Sequence, residues 1–403
     1  MSPSPDYHFE GGISREVLEN YLDRSITMGD LCASPQREDD LRMLANIKPK
    51  FIGRLGYLWS QYPAERNEEH FQACAEIVEA HHRVDPEAVF QCCIFEAVYP
   101  NAVGGIAVPA WVFEEFGQPV EARNFNFDAM LYDENCARQL EESWCPHPGN
   151  NFLRDKWRFW HGVTGAVPDM SKLETQMWFY YRARRYLDLG VEGLHLGQIH
   201  LMDHNDLDYA HWWSLLERIR SYARAHARRG AVIIDAHTPG VALADGRLLF
   251  DFHSYPMYPR QLKDQPQHCD LVAGHRQAVY GRSLGGTAPS GWACEHLPML
   301  IEFDNWGPSG RPGEYFEEMH YVWGYDEINW LAALPEAERN DFVRYAWKRI
   351  PELDPNCHLQ MPGQRNLAAP IEGKDRYFAN TRSAASPTGF NTEETIKAIW
   401  EGA

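Results

Sequence analysis

One rhythm recurs along this chain: a short apolar run ending in polar residues, then a stretch of helical periodicity, then another apolar run. Runs of this kind fit Phe51–Trp59, Val89–Tyr99, Trp157–Val163, Val191–Leu201, Ala231–Ala236, Leu248–Tyr255, Pro298–Phe303 and His358–Met361. Helical patterns lie between them, at Asn67–His82, from the capping-box sequence Ser171-Lys-Leu-Glu174 to about Leu187, from Asn205 or Asp206 to Arg229, around Gln261–Tyr280, and over Asp326–Ile350. Gly190 and Gly230 stand where two of these helices should end. Eight strands alternating with helices predict an α/β protein, a single (β/α)₈ TIM barrel spanning 1–403. Residues 1–48 read as a helical N-terminal extension, with Ile13–Leu22 and Asp39–Asn46 its clearest pieces, and 100–156 as a long insertion after the second strand, with a helix around Asp128–Ser143, lining the active-site face. A doubly wound sheet is the alternative, but no Gly-x-Gly-x-x-Gly turn follows the first strand.

In a barrel the chemistry gathers at the C-terminal ends of the strands, and each run here ends in polar groups. The first carries Arg54 and Tyr57, the second Glu96, the third His161, and the fourth His195, Gln198 and His200. Asp235 and His237 end the fifth, Asp251, His253 and Tyr255 share a face of the sixth, and the seventh ends in Glu302, with Asp304 and Trp306 beyond. The eighth ends near Gln360 and Gln364-Arg365. A charged side chain pointing into a barrel is costly unless paired or used, so the convergence predicts a site. Glu302, Asp235 and Glu96 are the candidate catalytic carboxylates. Arg54, Tyr57, Trp111, His161, Gln198, His200, His237, His253, Tyr255, Asp304 and Trp306 are the candidate substrate-binding groups. Arg54 has a competing role as an ion-pair partner of Asp235 or Glu96. His195 reads as a satisfied core histidine, Asp203, His204 and Asp206 as loop and capping groups, and Cys92 and Cys93 as packing residues. Trp59, Trp111 and Trp306, in expected loops at the site end, suit stacking on the C–H faces of sugars.

The formal charge of −19 disfavours nucleic acid and anionic membranes as partners. Nine scattered cysteines without a Cys-x-x-Cys pair give no zinc-ribbon spacing. No basic stretch followed by an apolar core opens the chain, and a cytoplasmic protein with reduced thiols is expected.

At His253-Ser-Tyr255 and Glu302 the sequence resembles the clan of retaining barrel glycoside hydrolases that includes cellulases and mannanases. That clan often carries His-x-Tyr on its sixth strand and a nucleophilic Glu at the end of its seventh. The resemblance implies Glu302 as nucleophile or electrostatic stabiliser, a carbohydrate substrate, and a hydrolase of carbohydrate metabolism that needs no cofactor. It breaks at the fourth strand, where Gly197-Gln198 stands in place of the clan's Asn-Glu. Glutamine cannot donate a proton as a general acid, so the donor is expected from Asp235 or Glu96. Two other readings compete. One is a metal-dependent barrel enzyme, a sugar isomerase or hydrolase, holding a divalent ion with His200, Asp235, His237, His253 and Glu302. The other is a non-catalytic carbohydrate-binding barrel.

Overall fold

The computed structural model describes residues 5–56, 63–144, 165–307, 309–315 and 321–402. Its centre is a ten-stranded sheet: β1 (Ser25–Met28), β2 (Phe51–Gly53), β3 (Val89–Cys93), β4 (Gly193–His195), β5 (Ile233–His237), β6 (Phe252–Pro256), β7 (Met299–Glu302), β8 (Cys357–Leu359), β9 (Met361–Ile371) and β10 (Lys374–Phe378). The order across the sheet is β8-β7-β6-β5-β4-β3-β2-β1-β9-β10. Every neighbouring pair is parallel except β9 with β10. β8, at one end of this order, and β9, next to last at the other, adjoin in sequence. β8 pairs with β7 through Leu359↔Ile301, β9 pairs with β1 through Met361↔Ile26, and Gln360 alone separates them.

The sheet curls. The ring of Phe51 on β2 meets that of Phe252 on β6, four places away in the order, edge to face at 5.6 Å. With Val89, Ile233 and Leu300 they form an apolar layer on the concave side, closed at one end by Tyr7, Phe9, Leu18 and Tyr21 at and before α1 (Arg15–Asp23). The alternate residues Ile26, Ile52, Phe90, Leu194, Ile234 and Ile301 face outward to the helices. The helices of six residues or more after α1 are α2 (Arg37–Ile47), α3 (Asn67–His82), α4 (Ala110–Glu115), α5 (Glu134–Trp144), α6 (Leu173–Leu187), α7 (Ala210–His226), α8 (Glu327–Ala333), α9 (Glu336–Leu353) and α10 (Glu393–Glu401).

The first strand of the sheet lies inside the segment expected to be wholly helical. Ser25-Ile-Thr-Met28 is a four-residue, entirely buried run between α1 and α2, too short to show an alternation. Trp157–Val163 lies outside the described residues; the strands before and after it pair directly, Gln91 opposite Gly193. No helix forms in 261–280, where a short hairpin pairs Arg260–Gln261 with Cys269–Asp270 and Gln267 takes a left-handed φ of 65° after Pro266. The expected capping box at Ser171 is absent as well. The Glu174 carboxylate instead binds Arg123 at 2.8 Å and the backbone N–H of Asn126 at 2.8 Å. Asp206 does cap α7, accepting the N–H groups of His211 and Trp212 at 2.9 Å each. Among the described residues no helix is long and apolar enough to cross a membrane.

Candidate active site

The C-terminal ends of β2, β3, β5 and β7, with Arg365 from within β9, bring a charged cluster to the concave side. Glu302 is the last residue of β7 and is fully buried. Its Oε1 accepts from Arg54 Nη2 at 2.5 Å and its Oε2 from Arg365 Nη1 at 3.2 Å. Arg54 directly follows β2 and holds a left-handed φ of 63°, a conformation that non-glycine residues keep only where their surroundings enforce it. Arg365 also binds Asp304, two residues beyond Glu302, and reaches Asn305 Oδ1 at 3.0 Å. Burial would push the Asp304 carboxyl up, but Arg365, His237 and Arg54 hold it at about 2. His237, the last residue of β5, places Nε2 3.8 Å from Asp304 Oδ2. Burial pushes this imidazole below its ordinary value in spite of the nearby carboxylates.

Glu327 fixes the loops around this cluster. Its buried carboxylate accepts the backbone N–H groups of Met257 at 3.1 Å, Tyr258 at 2.5 Å and Asp304 at 3.1 Å, so it ties the end of β6 to the end of β7. The aromatic groups form a run beside it. His237 meets Tyr255 at 5.4 Å, Tyr255 meets Tyr258 at 5.7 Å, and Tyr258 stacks on the half-buried Trp306 at 5.4 Å.

Glu96 lies three residues past β3 in a different setting. It is buried, and its oxygens accept from Gln198 N at 3.1 Å and Gln198 Nε2 at 3.2 Å, both uncharged donors. Burial pushes its carboxyl up, against the smaller pull of those donors and of His195. Gly197 makes room for it. With φ at +63°, a Cβ there would lie 1.9 Å from Glu96 Oε2. The two carboxyl regions adjoin through the backbone bond from His237 N to Gly197 O at 2.8 Å, and through Arg54, whose guanidinium lies 5.9 Å from the Phe95 ring.

Asp235 is fully buried with both oxygens engaged. Gln91 Nε2 donates to Oδ1 at 2.6 Å, while Ser254 Oγ at 2.7 Å and His195 Nδ1 at 2.8 Å meet Oδ2. The expectation of a satisfied His195 holds for one nitrogen. The other, Nε2, is buried without a hydrogen-bond partner, in a ring 5.6 Å from Phe95 and 6.4 Å from His237. Arg54 pairs with Glu302, not with the two acids expected for it.

Other expected groups fall elsewhere. His253 and Asp251 do share a face, but it is the outer one. His253 is opposite Ala236 and Met299, and Asp251 accepts Ile234 N at 2.9 Å; the sixth strand's concave side carries Ser254. The Trp111 ring stacks on Tyr181 at 5.9 Å with the Arg184 guanidinium 4.1 Å from its centre, so it packs on α6. His200 is exposed on the turn Ile199–Leu201. Tyr57, Trp59 and His161 lie outside the described residues. Three groups at the site had no expected role. Arg365 stands at an anticipated strand end, where a basic residue signals little by itself. Tyr258 follows Tyr255 in an aromatic run that signals it. Glu327 opens a helix, where an acid is ordinary.

No family model matches the chain, and no curated protein matches it in sequence. Among solved structures, it is similar to the Nostoc punctiforme debranching enzyme in its native form, with 10% identity, coverage of 97% of this chain and 80% of that chain, and a TM-score of 0.45. It is similar to endo-glycoceramidase II from Rhodococcus sp. as its lactosyl-enzyme intermediate, at 10% identity, 93% and 78% coverage and a TM-score of 0.37. The noncanonic maltogenic alpha-amylase AmyB from Thermotoga neapolitana follows at 11% identity and a TM-score of 0.32; the match takes in 58% of this chain and spans 50% of the amylase chain, half its length. Likenesses this slight carry no argument about the reaction.

Proposed function

We propose that this chain is a glycoside hydrolase-like carbohydrate-active enzyme on a single (β/α)₈-barrel domain. In that reading β8 and β9 are one strand interrupted at Gln360, which bonds to β7 and then to β1 and makes eight. The observation that carries the reaction is the contrast between two carboxyl sites. Burial among uncharged donors raises the Glu96 carboxyl, whereas Glu302 and Asp304 lie against Arg54 and Arg365. A carboxyl among uncharged donors and carboxylates among guanidiniums can divide the acid and base roles of glycoside hydrolysis.

In this reading Glu96 donates a proton to the glycosidic oxygen as the bond to the leaving sugar breaks. Glu302 faces the developing positive charge on the sugar as nucleophile or base, with Asp304 beside it. Gln198 orients Glu96, whose carboxyl reaches the end of β4 from the neighbouring strand, where the resembled clan carries its own glutamate. Asp235, saturated by three partners, positions His195 and does not move the proton. Tyr255, Tyr258 and Trp306 form the wall on which a sugar ring stacks. The test is turnover on a panel of glycosides. Turnover is expected for the unaltered protein and lost in Glu302→Gln and in Glu96→Gln; full turnover by Glu302→Gln on the best substrate overturns the assignment. Tight sugar binding without turnover supports the non-catalytic barrel instead.

One observation favours the metal-dependent reading: His237, Glu302 and Asp304 offer ligand atoms within 4.8 Å of one another. A divalent ion there competes with two guanidinium groups already on the same carboxylates. Activity abolished by chelation and restored by one equivalent of metal would establish it.

A further inference from the structure

On the outer side of the sheet, behind the strand ends that carry Arg54, three residues with metal-ligating side chains meet. Cys32 lies on a short turn just after β1; His70 and Cys74 lie four residues apart on α3, and so on one face of that helix. All three are buried, and each offers a ligand atom within 4.8 Å of the others. Cys32 Sγ is 3.6 Å from His70 Nδ1. A tetrahedral zinc with bonds of about 2.3 Å to sulfur and about 2.0 Å to nitrogen holds such atoms roughly 3.5 Å apart. The Cys32 thiol donates to Asp30 Oδ1 at 3.1 Å. The Asp30 backbone is left-handed, with φ at 60°.

Two surrounding features fit an ion better than packing. The other nitrogen of His70, Nε2, is 3.9 Å from Cys74 Sγ and 2.8 Å from Tyr186 OH, which in turn accepts from Arg182 at 3.1 Å. A metal-binding histidine is commonly held this way, its second nitrogen fixed by an outer partner. Gly56 closes the other side, where a Cβ would lie 2.8 Å from His70 Cε1 and 2.9 Å from Cys74 Sγ. Cys32 and His70 also line a cavity of about 490 Å³, with Ser34, Arg37, Glu69 and Glu76 around it, which gives an ion a route in.

We propose that Cys32, His70 and Cys74 form a structural site for a thiophilic divalent cation of the zinc class. On binding, the two thiols release their protons to solvent and the thiolates and imidazole coordinate the ion. The site stands apart from the reaction proposed above. It bears on the same loops, because Asp30 N donates to Arg54 O at 2.9 Å and Cys32 N to Leu55 O at 3.0 Å. The bound ion therefore braces the segment that presents Arg54 to Glu302.

The experiment uses the full chain, reduced and equilibrated with zinc, then dialysed and assayed for metal by mass spectrometry. One zinc per chain is expected. Replacement by cobalt(II) should give the near-ultraviolet absorption of a thiolate–cobalt bond, which a His237–Glu302–Asp304 site cannot produce. Cys32→Ser and Cys74→Ser should lose that absorption, Gly56→Ala should weaken it, and Glu302→Gln should keep it. The direct readout is the spectrum of the unaltered protein, so a variant that fails to fold does not blunt the test. Absence of retained metal, a cobalt spectrum without thiolate absorption, or a Cys32–Cys74 disulfide in the freshly purified protein each overturns the proposal.

Discussion

Arg54 and Glu302 meet at 2.5 Å, although their strands stand five places apart in the sheet order. Only the curl of the sheet brings them together, and neither side chain is accommodated there without the other. Arg54→Met leaves a buried carboxylate with one guanidinium partner in place of two. A loss of about 3–5 kcal/mol is expected, the range for breaking a buried pair, and denaturant titration measures it. In the double variant Arg54→Met/Glu302→Gln the cost should be far smaller than the sum of the single costs.

Glu96 predicts a pH profile. A carboxyl raised by burial keeps its proton above the ordinary carboxylate range and loses it as pH rises through the raised value. Activity should therefore fall on the alkaline side as Glu96 ionises. Glu96→Gln should lower kcat by about 10²–10⁴ and remove that limb from the profile of whatever activity is left. Rates of the unaltered enzyme and the variant from acid to neutral pH decide it; an unchanged alkaline limb in Glu96→Gln rules Glu96 out as proton donor.

Much of this was legible in the chain, and the failures have physical causes. The strands carrying Glu302, Asp235 and Glu96 stand out because each is an apolar run of buried residues. Ser25–Met28 escapes notice because four residues give no period. The two faces of β6 were misread because buried polar groups occupy both of them: Asp251 and His253 outside, Ser254 inside. Alternation tells which residues share a face, but not which face meets the helices. Arg365 and Glu327 act across the fold, sixty-three residues from Glu302 and sixty-nine from Tyr258 in sequence, distances over which local pattern is silent.

Gly197 gives a sharper test of the Glu96 placement. Alanine there must bear a φ of +63° and a Cβ 1.9 Å from Glu96 Oε2. The left-handed backbone alone costs about 1–2 kcal/mol, and Glu96 must move away from Gln198. Gly197→Ala should lose activity well beyond its loss of stability, read as kcat against Tm; activity falling only in step with unfolding breaks the link.

The tryptophans separate by role. Trp306→Ala should raise KM for a sugar substrate with little effect on Tm. Trp111→Ala should cost about 1–3 kcal/mol, below the roughly 3–5 of a fully buried aromatic, and leave KM alone. The reverse pattern would place the sugar against α4.

Acid stability should trace to named carboxylates. Asp304, at about 2 in the folded chain against an ordinary 3.8, and Glu393, at about 2 against 4.5, are both depressed. Their contribution is complete above the ordinary values and is lost as pH falls towards 2. For Asp304 it is on the order of 2 kcal/mol. Asp304→Asn should flatten the fall in stability between pH 4 and 2, on the order of that amount, in acid denaturation followed by circular dichroism.

The pairing of β9 with β1 has a consequence for how the protein comes into being. During synthesis the first strand emerges early and waits for a partner more than three hundred residues downstream. Until that late strand arrives, one side of β1 offers unpaired backbone to any passing edge, and Glu302 has no Arg365. The charged centre is thus assembled by the same event that brings β9 to β1, so a growing chain carries Glu302 without one of its two guanidinium partners until that strand is in place.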